Sequence, residues 1–236
     1  GNAFVDITFL KDFKFTFNVG TTVNEIRYYT TTNPYYGFGA EQNGTVTMYH
    51  YRTTTLNLQQ ILNYSHNFGK HNISVMLGHE SYKYNYAELS ASKKNMFSYW
   101  GNHELNGAVI DGSSAASYSN DYNTEGYFFR ALYDYDAKYY FSASYRRDAS
   151  SCFHPDNRWG NFWSVGAGWL LSKERFLENQ SWIDMLKFKI SYGLQGNDNL
   201  MFQGGLYRNY YPYQDQYTLA NSNGDFSTSL YYKGNK

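Results

Sequence analysis

The sequence has little of what most folds use to hold themselves together. One cysteine, Cys152, stands among 236 residues, which excludes an internal disulfide and any zinc site built from several cysteines. Its ordinary reading is an incidental thiol, because no electropositive partner is evident nearby in sequence. Proline is scarce at three residues. Neither sign of charge is in excess: 20 Lys and Arg balance 20 Asp and Glu, so the one-sided basic footprint that phosphate binding requires is missing and nucleic acid is excluded as a partner. No stretch approaches the roughly 20 consecutive apolar residues of a membrane-crossing helix, since even Phe188 to Leu194 is interrupted by a polar or small residue at every second position. A chain of this kind in a membrane has to be a barrel.

What is abundant is aromatic. There are 27 Tyr, 17 Phe and 5 Trp, and tyrosine outnumbers phenylalanine, which suits rings that bury one end and keep the other in water or among headgroups. A soluble core would draw instead on Leu, Ile and Val. The chain opens Gly1-Asn2-Ala3-Phe4, without a basic segment followed by an apolar one, so the expectation is that any export signal has been removed or lies outside this segment.

A period of two runs through the chain. Phe13, Phe15, Phe17 and Val19 alternate with Lys14, Thr16 and Asn18. Leu56, Leu58, Leu62 and Tyr64 oppose Asn57, Gln59 and Asn63, and Ile73, Val75 and Leu77 follow a short turn. Tyr127, Phe129, Ala131 and Tyr133 precede Tyr139, Phe141, Ala143 and Tyr145, which oppose Ser142, Ser144 and Arg146. Trp163, Val165, Ala167 and Trp169 alternate with Ser164, Gly166 and Gly168; Phe188, Ile190, Tyr192 and Leu194 alternate with Lys187, Lys189, Ser191 and Gly193. Each run matches the roughly 9 to 11 residues of a tilted spanning strand. The expected polar lining is Lys14, Asn57, Gln59, Arg130, Arg146, Lys187 and Lys189.

Connections alternate as well. Tight links at Lys11-Asp12, Phe68 to His71 and Asp134 to Lys138 are separated by long ones at Thr30 to Gly44, Leu89 to Tyr122 and Ser150 to Gly160, as short periplasmic turns and long outer loops would be. Ser172 to Asp184 is moderately long on the short-turn side, and Ser172-Lys173-Glu174-Arg175-Phe176-Leu177 reads as a capped helical turn with an apolar anchor. After Gly196 the chain is rich in Gly, Asn and Tyr and reads as a further outer loop without a strand. The fold class expected is all-β: an antiparallel transmembrane barrel segment of about eight strands.

Catalytic and metal chemistry find no footing. His66 and His71 flank one turn and His79-Glu80 lies beyond, but no H-E-x-x-H pattern is present and three or four converging ligands are not evident. Asp121 with Glu125, and Asp134 with Asp136, read as turn formers. Gly166-Ala167-Gly168 lies within an alternating strand with no helix to receive a phosphate. Asn43-Gly44-Thr45 and Asn72-Ile73-Ser74 match glycosylation sequons, a pattern short enough to be matched often by chance, and are discounted. No catalytic residue, cofactor or metal site is expected, and the chain does not read as an enzyme.

The stretch Ser144-Tyr145-Arg146-Arg147-Asp148-Ala149-Ser150-Ser151, continuing Phe153-His154-Pro155-Asp156-Asn157-Arg158-Trp159-Gly160-Asn161-Phe162-Trp163 to Trp169, resembles the SusC/RagA-like family of TonB-dependent outer-membrane transporters. So do Glu174-Arg175-Phe176, Ile183-Asp184-Met185-Leu186-Lys187 and Ser191-Tyr192-Gly193-Leu194-Gln195-Gly196-Asn197. The match is specific over Tyr133 to Asn197, whereas Phe4 to Ser92 follows the family's hairpin layout more than its letters. Cys152 stands where a polar or basic residue is usual and Ala149 where glycine is common.

The resemblance implies a larger barrel of about 22 strands around an N-terminal plug. Residues 1–236 would then be part of one barrel domain, with the plug, the TonB box and the C-terminal closing strands lying elsewhere. It implies import of oligosaccharides or peptides across the bacterial outer membrane, by a multi-pass barrel in outer-membrane lipid. The implied partners are TonB, a SusD-like surface lipoprotein and a second transporter–lipoprotein pair forming a homodimer. Ring-bearing outer loops would supply the substrate contacts: Tyr35 and Tyr36; Trp100 and His103; Tyr210, Tyr211 and Tyr213. For any one of these, a packed or girdle ring is the commoner alternative. The competing reading is a self-contained small barrel of structural, adhesive or enzymatic role, since eight strands can close a narrow one.

Overall fold

The computed structural model describes residues 1–101, 103–177, 182–201, 208–214, 217–219 and 230–232. Eight strands form one sheet: β1 (Asn2–Phe9), β2 (Phe13–Thr32), β3 (Thr45–Phe68), β4 (His71–Met96), β5 (Ala108–Tyr135), β6 (Tyr139–Ser150), β7 (Trp159–Leu170) and β8 (Lys187–Leu194). They lie side by side in chain order, so every neighbour is a hairpin partner and the sheet is an antiparallel meander. Two short strands, β9 (Tyr217–Leu219) and β10 (Leu230–Tyr232), pair with each other separately, where the sequence suggested no strand. Pro34, Pro155 and Pro212 all fall outside the strands, as residues without a ladder donor should.

From β5 to β8 the strand faces follow the expected alternation. Phe129 stands opposite Tyr145, Ala131 opposite Ala143 and Tyr133 opposite Phe141 across β5 and β6. Tyr145 then faces Trp163, Ala143 faces Val165 and Phe141 faces Ala167 across β6 and β7, and Val165 faces Tyr192 and Ala167 faces Ile190 across β7 and β8. One apolar face therefore crosses four strands, and its large side chains are exposed to the surroundings. The other face pairs Arg130 with Ser144, Ser142 with Gly166 and Gly168 with Lys189. That face is not purely polar, however. Phe128 and Phe162 both stand opposite Arg146, Leu132 opposite Ser142 and Leu170 opposite Lys187, so rings and aliphatics occur on both sides.

Two links are shorter than the sequence suggested and the strands correspondingly longer. β2, β3, β4 and β5 run 20, 24, 26 and 28 residues, well beyond the roughly 10 of a spanning strand. Leu89 to Tyr122, expected as a loop, is mostly strand, with only residues 97–107 linking β4 to β5. Tyr, Thr and Ser sustain these ladders without apolar alternation, because a strand with water on both sides needs β-compatible side chains but no buried face. Ser172 to Leu177 is not a capped helix either. A 3-10 turn covers Leu171–Lys173, Ser172 sits inside it, and no side chain caps it.

The chain divides into two compact units: Gly1, Gly20–Leu56 and Lys83–Asp121 in the first, and Asn2–Val19, Asn57–Tyr82 and Tyr122–Lys236 in the second. Among the described residues the buried hydrophobic side chains are Val46, Met96, Ala108, Ala149 and Cys152. That is far too small a core for a soluble domain of this length, so stability rests on the ladders and on whatever covers the faces. In the first unit Val46, Met96 and Ala108 pack together with Leu105 against them, and this cluster fixes the bases of the two links that start from it.

Candidate functional site

In the first unit, residues 33–44 are shaped from within. Asn33 Oδ1 accepts the Tyr35 backbone N-H at 2.8 Å, a 3-10 turn covers Gly37–Gln42, and Asn43 and Gly44 return the chain at φ of 50° and 77°. The Met96 amide donates to the Asn43 carbonyl at 3.0 Å and the Asn95 amide to that of Gly44 at 3.1 Å, so this link is tied to the end of β4. Upon these bases stand large exposed rings: Tyr36 at 72%, Phe97 at 90% and Trp100 at 78% exposure, with Tyr35 and Phe38 also exposed. Phe38 and Phe97 were not singled out from sequence. His103 is different. It stacks on Tyr29 at 4.3 Å and 10°, and its Nδ1 is buried without a hydrogen-bond partner, which makes it a packed ring.

A second aromatic set in the same unit also escaped the sequence reading. Tyr28 stacks on Tyr49 at 4.7 Å and on Tyr51 at 5.8 Å; Tyr51 meets Tyr86 at 6.2 Å, and Tyr86 meets Tyr118 at 5.9 Å. A hollow of 640 Å³ in this unit is lined by Tyr49 of that set together with Arg27, which forks onto Glu104 at 3.0 and 2.9 Å, and His50, 2.6 Å from Glu25.

In the second unit Tyr210, Tyr211 and Tyr213 are half-buried rather than presented. Tyr210 lies 6.2 Å from the Tyr122 ring, Tyr213 meets His154 edge to face at 5.9 Å, and the Tyr211 amide donates to Asn209 Oδ1. Arg208, two residues before Tyr210, is tied down by Asp198. Its Oδ2 accepts Tyr122 Oη at 2.6 Å, Ser150 Oγ at 2.8 Å and Arg208 Nη2 at 3.2 Å. Partial burial pushes the Asp198 carboxyl up, but the bonds from Tyr122 and Ser150 and the Arg208 charge together outweigh it and hold the group below the usual carboxylate range. Arg208 also lies 4.0 Å from the Tyr122 ring centroid and 3.8 Å from Cys152 Sγ, so the electropositive neighbour of the thiol comes from the link after β8.

Beside this cluster a cavity of 430 Å³ is lined by Glu80, Arg146, Asp148, Arg158 and Phe162 among others. Arg146 Nε donates to both Asp148 oxygens at 2.7 Å, and its Nη2 reaches Glu80 at 3.4 Å. At the short-turn end of the sheet a 740 Å³ hollow gathers Arg130, Lys187 and Lys189, with Lys187 Nζ 3.5 Å above the Tyr140 ring. Lys14, from the same expected lining, pairs with Asp6 at 2.9 Å.

Among the residues weighed for metal or acid-base chemistry, His79 lies 3.4 Å from Glu125, and each of the others has a partner of its own. His66 bonds Asp12, His71 the Tyr133 hydroxyl, and His79 Gln60. Asp121 accepts from Asn85, Glu125 from Tyr127, Asp134 from Asn72 and Asp136 from Lys70. Among the described residues no group of three or more His, Cys, Asp or Glu could hold a metal ion, and no helix is long and apolar enough to cross a membrane.

An antiparallel meander with one continuous apolar face, one face bearing Arg130, Arg146, Lys187 and Lys189, and links that alternate in length has the build of barrel wall. No family model matches the chain. It is 31% identical over 194 residues to TonB-dependent receptor P3 of Formosa agariphila, covering 80% of this chain and 19% of that protein. It is 27% identical over 181 residues to the TonB-dependent receptor SusC of Bacteroides thetaiotaomicron, covering 77% and 17%. Among solved structures, the RagAB peptide importer in its closed-closed state superposes with a TM-score of 0.86 at 24% identity over 99% of this chain and 25% of the importer chain. A further RagAB peptide transporter structure gives 0.85 at 25%. The chain thus spans about a fifth of the curated relatives it matches. It is a SusC/RagA-like TonB-dependent receptor segment, from the barrel wall. These relatives are named receptors and importers, which supports a non-enzymatic reading.

Proposed function

We propose that this chain forms part of the wall of an outer-membrane importer that takes up oligosaccharides or peptides with energy supplied through TonB. A SusD-like surface lipoprotein closes over its outer loops, and two such pairs associate as a homodimer. The plug, the TonB-contacting segment and the closing strands belong to other parts of the same barrel protein. Tyr35, Tyr36 and Trp100 contact incoming substrate or the lipoprotein, and Tyr210, Tyr211 and Tyr213 line the rim behind them.

The observation that carries this reading is the two-faced sheet that stays open. β1 and β8 stand at the two ends of the strand order and are not neighbours, so these eight strands do not close into the narrow barrel of the competing reading. An open edge within hydrocarbon is untenable, so further strands must flank it. The likeness to SusC and to RagAB supports both the import role and the lipoprotein partner.

The test is uptake by cells lacking the full-length protein, with TonB present or deleted, supplied with fluorescent neutral oligosaccharides or with peptides. TonB-dependent uptake of either class that disappears on deletion and returns on complementation supports the reading. Undiminished uptake of both classes sinks it, and failure of the protein to copurify with a surface lipoprotein removes the partner.

A further inference from the structure

We infer that Arg147 and Asn161 together bind the phosphate of an outer-leaflet lipid at the margin of the apolar face. The leaflet rests on the orientation of the barrel-wall reading above; the site itself rests on the sheet.

The apolar face has a polar margin at each end. At the short-turn end the Tyr139 hydroxyl and the Trp169 indole Nε1 both donate to Glu174 Oε1, at 2.7 and 3.1 Å. At the other end the Tyr145 hydroxyl donates to Asn161 Oδ1 at 2.7 Å, and the Tyr127 hydroxyl to Glu125 Oε1 at 2.8 Å. Between these margins β6 and β7 place Phe141, Ala143, Trp163, Val165 and Ala167 on this face, none of them charged. Arg147 comes eight residues after Tyr139 along β6, about 27 Å at the ordinary rise per residue. At the usual strand tilt that is about 20 Å of membrane depth, close to the roughly 25 Å of the outward apolar band of such barrels. Arg147 therefore stands at the level of headgroup phosphates.

Arg147 and Asn161 are cross-strand partners, so their side chains leave the sheet on the same face, and both are exposed. The Arg147 guanidinium lies 5.1 Å from the Trp159 ring, which in turn stacks against Tyr127 at 6.1 Å. Among the described residues no carboxylate pairs with Arg147. Asp148, next in sequence, lies on the opposite face and is bonded to Arg146 at 2.7 Å. Glu125 is engaged by Tyr127 and lies 3.4 Å from His79 on β4. Asn161 is oriented by its neighbour: its Oδ1 accepts from Tyr145, so its NH2 end is the one left to donate, and no acceptor for it occurs among the described residues.

A cation and an amide donor thus stand side by side on a surface that meets lipid, both without an acceptor from the described protein. Phosphate supplies the charge and several oxygens for the planar guanidinium fork, and the amide takes a further oxygen. A neutral headgroup or a sugar hydroxyl could accept these bonds but would leave the arginine charge uncompensated, so the site selects phosphorylated lipid.

The experiment uses the full-length protein in detergent, with lipid adducts counted by native mass spectrometry. The probes are diphosphoryl lipid A, the same lipid stripped of its phosphates, and excess inorganic phosphate as competitor. Arg147→Gln removes the charge. Asn161→Asp still accepts from Tyr145 but sets a carboxylate beside Arg147 in place of the ligand. Compact migration in unheated detergent gels confirms that each variant is folded. Each substitution is expected to weaken lipid A binding by about fivefold, the usual effect of one basic group at a lipid surface. Stripping the phosphates is expected to bring the wild type down to the level of Arg147→Gln. Equal lipid A binding by wild type and both folded variants overturns the proposal, as does equal wild-type binding of the phosphate-free lipid. Displacement of lipid A by inorganic phosphate overturns it too, since the site would then take the free anion. All three results leave the barrel-wall reading standing, whereas a full-length protein that stays soluble without detergent and takes up no lipid overturns both.

Discussion

Phe128 lies directly across Gly78, its ring occupying the space where any larger residue at 78 would place its Cβ. The aromatic ring covers a bare stretch of β4 on the side that also carries Arg146, whose guanidinium stands 5.6 Å from the same ring. Gly78→Ala is therefore expected to force the ring aside and to destabilise the wall by about 1–3 kcal/mol, the usual cost of overpacking. In full-length protein this reads as a lower temperature for conversion from the compact to the extended gel band. Phe128→Ala combined with Gly78→Ala should lose less than the sum of the single changes, because the two sites share one contact.

That pair marks where sequence reading succeeds and where it stops. Tyr127, Phe129, Ala131 and Tyr133 were assigned to one face by alternation, and the register agrees. Phe128, between two of them, is equally aromatic, and only the cross-strand glycine explains why a ring sits on the side of Arg130. The same limit applied to Tyr49, Tyr51 and Tyr86. They lie among Thr, His and Asn in strand that has no apolar stripe, so nothing in the local pattern distinguished these stretches from loop, and the set of stacked rings exists only through pairing of four strands. Outer-loop tyrosines were legible by composition, but composition cannot separate the exposed Tyr36 from Tyr210, which is packed near Tyr122.

Asp198 is expected to hold the link after β8 against the middle of β5, at Tyr122, and the end of β6, at Ser150, across ordinary pH. Its carboxyl is depressed in the folded protein, so its contribution is complete above the ordinary carboxylate value of 3.8 and is lost only as pH falls through the lower folded value. Asp198→Asn removes the charge at every pH and should cost about 1–2 kcal/mol locally. Hydrogen exchange measured on peptides covering residues 195–201 and 208–214 should accelerate in the variant at pH 7 and match wild type in β6 and β7. Unchanged exchange in those peptides would mean that Tyr122, Ser150 and Arg208 hold the link without the carboxylate.

Cys152 gives a chemical reading of the same contact. Its side chain is fully buried at 0% exposure, with Arg208 3.8 Å away. Reactivity requires access as well as thiolate, so intact cells treated with a membrane-impermeant maleimide should leave Cys152 unlabelled. In cells carrying Arg208→Ala or Asp198→Asn, labelling should rise several-fold as the link lifts. Prompt labelling of the wild type would show that this packing opens readily under native conditions.

The two free edges set the condition for the wall to exist at all. β1 is exposed along its whole length and β8 along nearly all of it, carrying Phe4, Val5 and Ile7 at one end of the sheet and Phe188, Ile190 and Tyr192 at the other. Each edge leaves a row of backbone groups unpaired, at several kcal/mol for every group placed in hydrocarbon. Residues 1–236 refolded alone in detergent should therefore self-associate by edge pairing and give no compact monomeric gel band. The same strands within the full-length protein should give one. Light scattering with gel mobility distinguishes the outcomes, and a stable compact monomer from residues 1–236 would require β1 and β8 to meet, against the strand order seen here.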